Sequence, residues 1–139
     1  MRKIYVYVIF LFIGLFVNAQ SQNEEFRFKA HQIDKLIKEV YQDKAETMIF
    51  SDKIRYNSFK DLLLNRIFVK KVRFKKGEKL IDLTKAPLLI IYNKNLVRNY
   101  SFTQNTFNPL KYDIALFSND LKLYRIDKNH VLYVLGQKN

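Results

Sequence analysis

The stretch Pro87-Leu88-Leu89-Ile90-Ile91-Tyr92-Asn93-Lys94-Asn95 decides how the rest of this 139-residue chain is read. Proline neither continues a helix nor donates to a central ladder, so it closes off whatever precedes it. Four branched aliphatics follow, too few for an independent helix and apolar on both faces, which is the pattern of a fully buried strand. Tyr92 to Asn95 ends the run with a turn, because Asn tolerates the left-handed region and bonds its own backbone. A central strand of this kind needs cover on both faces, so its flanks are expected to supply helices or a second layer. Ile90 is expected to be buried at the centre of the fold.

At the other end, Met1-Arg2-Lys3 precedes an apolar run from Ile4 to Val17 and then Asn18-Ala19-Gln20. A basic start, an apolar stretch and small residues at Val17 and Ala19 form a secretory signal peptide over residues 1–19. The rival is a membrane anchor, but a run of about 14 residues falls short of the roughly 20 that span a bilayer. Cleavage after Ala19 predicts a mature N-terminus at Gln20, which an intact mass checks.

The remaining chain, 20–139, has length enough for a single domain with its own core. Of the 25 Lys and Arg in the sequence, Arg2 and Lys3 leave with the signal, so 23 face 13 Asp and Glu, a net charge of +10. There is no cysteine, so packing alone holds the fold, and thiolate catalysis and thiolate metal sites are ruled out. The basicity invites a nucleic-acid reading. An exported protein rarely meets nucleic acid, and the abundance of Lys, Asn, Ile, Phe and Tyr is what a genome poor in G and C would encode. The charge reads mostly as composition, with an acidic partner or anionic lipid headgroups as the functional alternative.

Working outward from Pro87, residues 24–44 place Phe26, Ala30, Ile33, Leu36, Ile37, Val40 and Tyr41 three and four apart, an amphipathic helix of about five turns. Asp34 and Lys38 are spaced for a favourable ion pair. Ala45 to Phe50 is a strand or the frayed end of that helix. Asn57-Ser58 supplies an N-cap for a short helix from Ser58 to Asn65. Phe68 to Lys76 alternates as a strand and Lys79 to Leu83 as its hairpin partner across Gly77. Lys70, Lys71, Arg73, Lys75, Lys76 and Lys79 are the densest basic cluster in the chain. They read as the solvated face of that hairpin or as a contact surface for acidic groups. Past the central run, Leu96 to Leu110 is a polar loop anchored by Phe102 and Phe107. Tyr112 to Phe117 reads as a strand, and Ser118-Asn119-Asp120 as the cap of a short helix through Tyr124. Arg125 to His130 is a turn, and Val131 to Leu135 the closing strand.

Chemistry-bearing motifs are sparse. His31 and His130 have no partner at helical ligand spacing, and the Asp127–His130 spacing fits a polar turn cap better than a metal pair. Three glycines cannot build a phosphate loop, and no nucleophile elbow is present. Carboxylates brought together in space, as in glycosidases, would leave no such local signature. The expectation is a protein without enzymatic activity, cofactor or metal.

Three segments together resemble the plug domain of TonB-dependent outer-membrane transporters, especially the SusC-like type. Ser58 to Val69 is similar to the family's opening helix, where a Leu-rich turn and an Arg precede a Gly-Val step. Pro87 to Asn93 parallels the plug strand of Pro, Leu, aliphatics and a closing turn. Asn108-Pro109, Asp113-Ile114, Lys122-Leu123-Tyr124 and Asn129 to Val134 resemble its Asn-Pro-x-x-Ile strand, its helix ending in Tyr-Gly and its last strand. Phe68, Tyr92, Asn93, Arg125 and His130 stand where the family has glycines or an Asp-Gly pair, and no TonB box is recognisable. The likeness covers roughly 56–138 and stops where a transporter begins its barrel. It implies an α+β fold, a small mixed sheet of four to five strands flanked by two or three helices. It also implies a periplasmic protein that docks on or occludes a separately encoded outer-membrane β-barrel, a transporter or a protein-secretion channel. A periplasmic ligand- or glycan-binding module using the Leu96 to Leu110 loop is the alternative, and a small secreted hydrolase the third.

Overall fold

A computed structural model describes residues 24–75 and 77–138; the apolar segment 1–19 and the cleavage expected after Ala19 lie outside them. The fold is α+β, with a mixed five-stranded sheet in the order β1-β2-β5-β4-β3. The strands are β1 (Glu25–Arg27), β2 (Ile67–Lys71), β3 (Ile81–Asp82), β4 (Lys122–Arg125) and β5 (His130–Val134). β1, β2, β5 and β4 pair antiparallel in turn, and β3 adds parallel to β4 at the far edge. Helices α1 (Ile33–Tyr41) and α2 (Lys53–Asp61) precede β2.

The core forms on one face of the sheet. Ile67 and Val69 of β2, Leu132 and Val134 of β5 and Tyr124 of β4 join Ile33, Leu36, Ile37 and Val40 of α1 in one buried cluster. Phe59 of α2 and Leu62 and Leu63 just beyond it complete that layer. Among the described residues no helix is long and apolar enough to cross a membrane.

The central strand is not Pro87 to Asn93. Leu88 makes a single bridge to Tyr112, the chain turns at Ile90 and Ile91, and these side chains are 50% and 73% exposed. The cause lies at the ends of the run. Leu89 N–H donates to the Lys111 carbonyl, Tyr92 stacks on Tyr41, and the Asn93 amide donates to the Glu39 carbonyl. With both ends pinned to other elements, the aliphatic middle bows into solvent. The central position belongs to β2 and β5, which share five paired residues.

The N-terminal helix is shorter than its spacing predicts. Phe26 pairs with Val69 in the ladder, Ala30 is exposed in a single 3-10 turn, and only Ile33 onward is α-helical. Asp34 accepts a hydrogen bond from the Tyr56 hydroxyl at 2.6 Å, tying α1 to α2. Ala45 to Phe50 is helical, with a π-helical turn at Glu46–Phe50. α2 begins at Lys53, capped by Asp52, whose carboxylate accepts the Arg55 N–H, rather than at Ser58. Its first turns carry no apolar stripe (Ile54 is exposed), so the hydrophobic pattern announces only its second half. A π-helical turn at Leu62–Arg66 then delivers the chain to β2.

Three further expectations fail. The Phe68–Lys76 and Lys79–Leu83 hairpin does not form: β2 and β3 sit on opposite sides of the β4–β5 pair, joined by a crossing connection. Lys122 to Tyr124 is strand rather than helix, because it pairs with β5 across the Asp127 turn. Tyr112 to Phe117 is a chain of tight turns, with Ile114 N–H bonded to the Tyr112 carbonyl and Leu116 N–H to the Ile114 carbonyl. The turn before His130, the closing strand and the buried Phe107 anchor of the long loop stand as read. Of the segments that carry the plug resemblance, the Leu-rich helix end and the last strand keep their expected type, whereas 87–93, 108–114 and 122–124 do not.

Candidate functional site

The basic cluster divides between places. Alternation along β2 sends Ile67 and Val69 inward and Phe68 and Lys70 to the opposite face. The Lys70 ammonium lies 5.4 Å from the Phe68 ring centre, 5.3 Å from that of Tyr133, and 3.8 Å from the Glu25 carboxylate. Lys71, opposite His130 at the strand end, is exposed and borders a small cleft with Glu24, Glu25 and Phe102. Arg73, Lys75 and Lys79 are exposed on the connection from β2 to β3, and Lys76 lies outside the described residues. The cluster is therefore not one face of a hairpin. Among the described residues only the Lys70 side chain of this group reaches a carboxylate within 4 Å, while the Lys75 backbone N–H donates to Glu78.

The polar groups that are most deeply buried were not marked by the sequence. Lys111 has a side chain only 6% exposed, and its ammonium reaches the Glu39 carboxylate at 2.8 Å, the Val97 carbonyl at 3.1 Å and Asn99 Oδ1 at 3.3 Å. Three acceptors meet three N–H donors, so the charge is satisfied and holds the loop against α1. Asn108 caps the 3-10 turn at Pro109–Lys111 through Leu110 N–H while its amide donates to the Leu36 carbonyl and to Glu39. Burial pushes the Tyr112 phenol up, and its hydroxyl receives the Asn99 N–H. A cleft of about 330 Å³ opens between this network and Lys35, Arg98, Asn105 and Thr106.

Arg66 is buried by a different arrangement. Its Nε and Nη2 donate to the Leu135 carbonyl and Nη2 to the Leu116 carbonyl, which fastens the end of α2 to the C-terminal segment. Beside it lies a cleft of about 520 Å³ lined by Asp61, Asn65 and 135–138. Gly136 is required there, since a Cβ would run into the backbone of Asn119.

Asp127 and His130 form the polar turn cap that the spacing predicts. The Asp127 carboxylate accepts Phe102 N–H at 2.7 Å, Asn129 N–H at 2.8 Å and the His130 Nδ1 proton at 2.8 Å. Among the described residues no three His, Cys, Asp or Glu side chains gather to hold a metal ion. Burial raises the Asp127 pKa, but the Phe102 and Asn129 N–H groups and His130 together outweigh it and hold the carboxyl below its ordinary value. A carboxyl with a depressed folded pKa contributes stability that is fully present above its unfolded value, about 4, and fades as pH falls through the folded one. Asp127→Asn is therefore expected to lower stability at neutral pH and to flatten the acid limb below about pH 4. Urea titrations across that range check it, and an unchanged acid limb would count against the arrangement.

Lys111 and Glu39 line the 330 Å³ cleft as an ion pair, and His130, bonded to Asp127, lines the smaller cleft beside Lys71. The buried charges fasten segments, and the exposed ones point outward. No family model, no curated protein and no solved structure matches this chain.

Proposed function

We propose that this protein is a non-enzymatic, plug-like accessory domain that docks on or occludes a separately encoded outer-membrane β-barrel from the periplasmic side. The observation that supports this reading most is the set of charges without partners of their own. Lys71, Arg73, Lys75 and Lys79 leave the end of β2 and its connection cationic, with no carboxylate within 4 Å of their charged groups among the described residues. Charges in this state are available to acidic groups of a pore lining, where complementarity sets encounter rate and register.

A stable contact of this kind buries at least about 1,000 Å². Lys71, Arg73 and Lys75 changed together to Glu should abolish co-purification of the tagged protein with its barrel at low salt and leave the melting temperature within a few degrees of wild type. Raising salt should weaken the wild-type contact as the screening length falls below about 10 Å. Deleting the protein should admit large antibiotics that the outer membrane excludes. Unchanged permeability, with no outer-membrane protein recovered at low salt, would overturn the proposal.

A further inference from the structure

The sheet has a second face that none of the described helices covers. Residues whose neighbours point into the core point away from it, and register aligns Arg27, Phe68, Tyr133 and Leu123 in one row across four strands. Phe68 and Tyr133 stack nearly parallel at 4.9 Å, with the Arg27 guanidinium 4.6 Å from the Phe68 ring centre. Lys70 and Arg125 stand in the next row. One step beyond the ladder, Leu121 and Leu135 continue the alternation and are 55% and 36% exposed. The connection from β2 to β3 closes only the opposite end, where Val72 N–H bonds the Asn129 carbonyl and Arg125 lies over Phe74.

Around these apolar side chains three cations, Arg27, Lys70 and Arg125, outnumber two carboxylates. Glu25 and Asp82 are the carboxylates in these rows, and both are engaged, Glu25 by Arg27 and Lys70 and Asp82 by the Thr84 N–H and hydroxyl. A second copy laid face to face would set Arg27, Lys70 and Arg125 against their own counterparts in a chain of net charge +12. Leu121 and Leu135 flank the sheet at the end away from that connection, and neither belongs to an amphipathic helix suited to entering a bilayer.

We propose that this face docks an acidic amphipathic helix of a protein partner. The helix lays its apolar stripe on Leu121, Leu123, Tyr133 and Leu135 and its carboxylates against Arg27 and Lys70. Such a helix completes a layer that the sheet lacks on this side. The inference rests on the docking function proposed above and supplies the chemistry of the partner.

The test is a titration of the isotopically labelled protein, followed by NMR. The probe is a designed helical peptide of about five turns, with leucines at i, i+3, i+4 and i+7 flanked by glutamates. Its lysine counterpart and phosphatidylglycerol vesicles serve as the other arms. Shifts should centre on Phe68, Leu121 to Leu123 and Tyr133 to Leu135, and affinity should fall with salt. Leu123→Asp, and separately Leu121→Asp at an exposed position, should weaken binding at least about tenfold, roughly 1.4 kcal/mol. Equal binding of the lysine peptide, shifts elsewhere, or vesicle binding that Leu123→Asp abolishes would overturn the inference. A barrel that co-purifies unchanged with Leu123→Asp would overturn it while leaving the docking function standing. Peptide binding on this face without any barrel partner would do the reverse.

Discussion

Leu132→Ala is expected to lower the unfolding free energy by about 2–5 kcal/mol, a large part of the 5–15 that a domain of this size has. Leu132 is fully buried, lies between Val69 of β2 and Tyr124 of β4, and belongs to the core shared with α1. Removing its branched end leaves a cavity that two paired strands and a helix cannot collapse around. Ile90→Asp, by contrast, is expected to change stability by less than about 1 kcal/mol, since a half-exposed turn residue exchanges one solvated side chain for another. Urea melts with an unchanged slope give both numbers. Unfolding by Ile90→Asp would mean that the turn at Ile90 and Ile91 is packed where the structure leaves it open.

Asn108→Ala should be the most damaging polar substitution. Its carboxamide makes three hydrogen bonds from a position with no solvent exposure, one capping a turn and two reaching α1. Losing the cap costs about 0.5–2 kcal/mol, and leaving buried partners unsatisfied a further 1–3. The sum is roughly 1.5–5 kcal/mol. The loop it fastens should also become the first site of proteolysis, between Lys94 and Phe107. Cleavage that begins elsewhere, at unchanged stability, would refute the role given to this network.

The class of the fold was legible from local patterning, and its wiring was not. β5 was readable because a turn precedes four apolar or aromatic residues. β4 was not, since Lys122-Leu123-Tyr124-Arg125 is too short to distinguish a period of 2 from one of 3.6, and Ser118-Asn119-Asp120 looks like a helix cap. Pairing with β5 decided it. The Pro87 run shows that an aliphatic cluster reports a tendency to be buried, not a place in the sheet. Hydrogen bonds from Leu89 and Asn93 to distant segments settled where it lies. At the candidate site, the cationic density was visible, but its spread over both faces of β2 follows from strand alternation. Lys111 and Arg66 stand among ordinary neighbours, and nothing local marks a lysine or arginine that will be enclosed by carbonyls 12 to 69 positions away.

The strand order also fixes the sequence of events in folding. α1 and α2 are local structures that form in about a microsecond, but β2 waits for β5, and their partners lie 59 to 67 positions apart. Until the last strand arrives, Ile67, Phe68 and Val69 present one unpaired apolar edge next to the thin ribbon of β1. Chain closure over that distance places the domain among slow folders for its length. That delay keeps the apolar edge of β2 open until residues 130–134 have paired with it, which makes β2 the segment most exposed to mispairing while the domain folds.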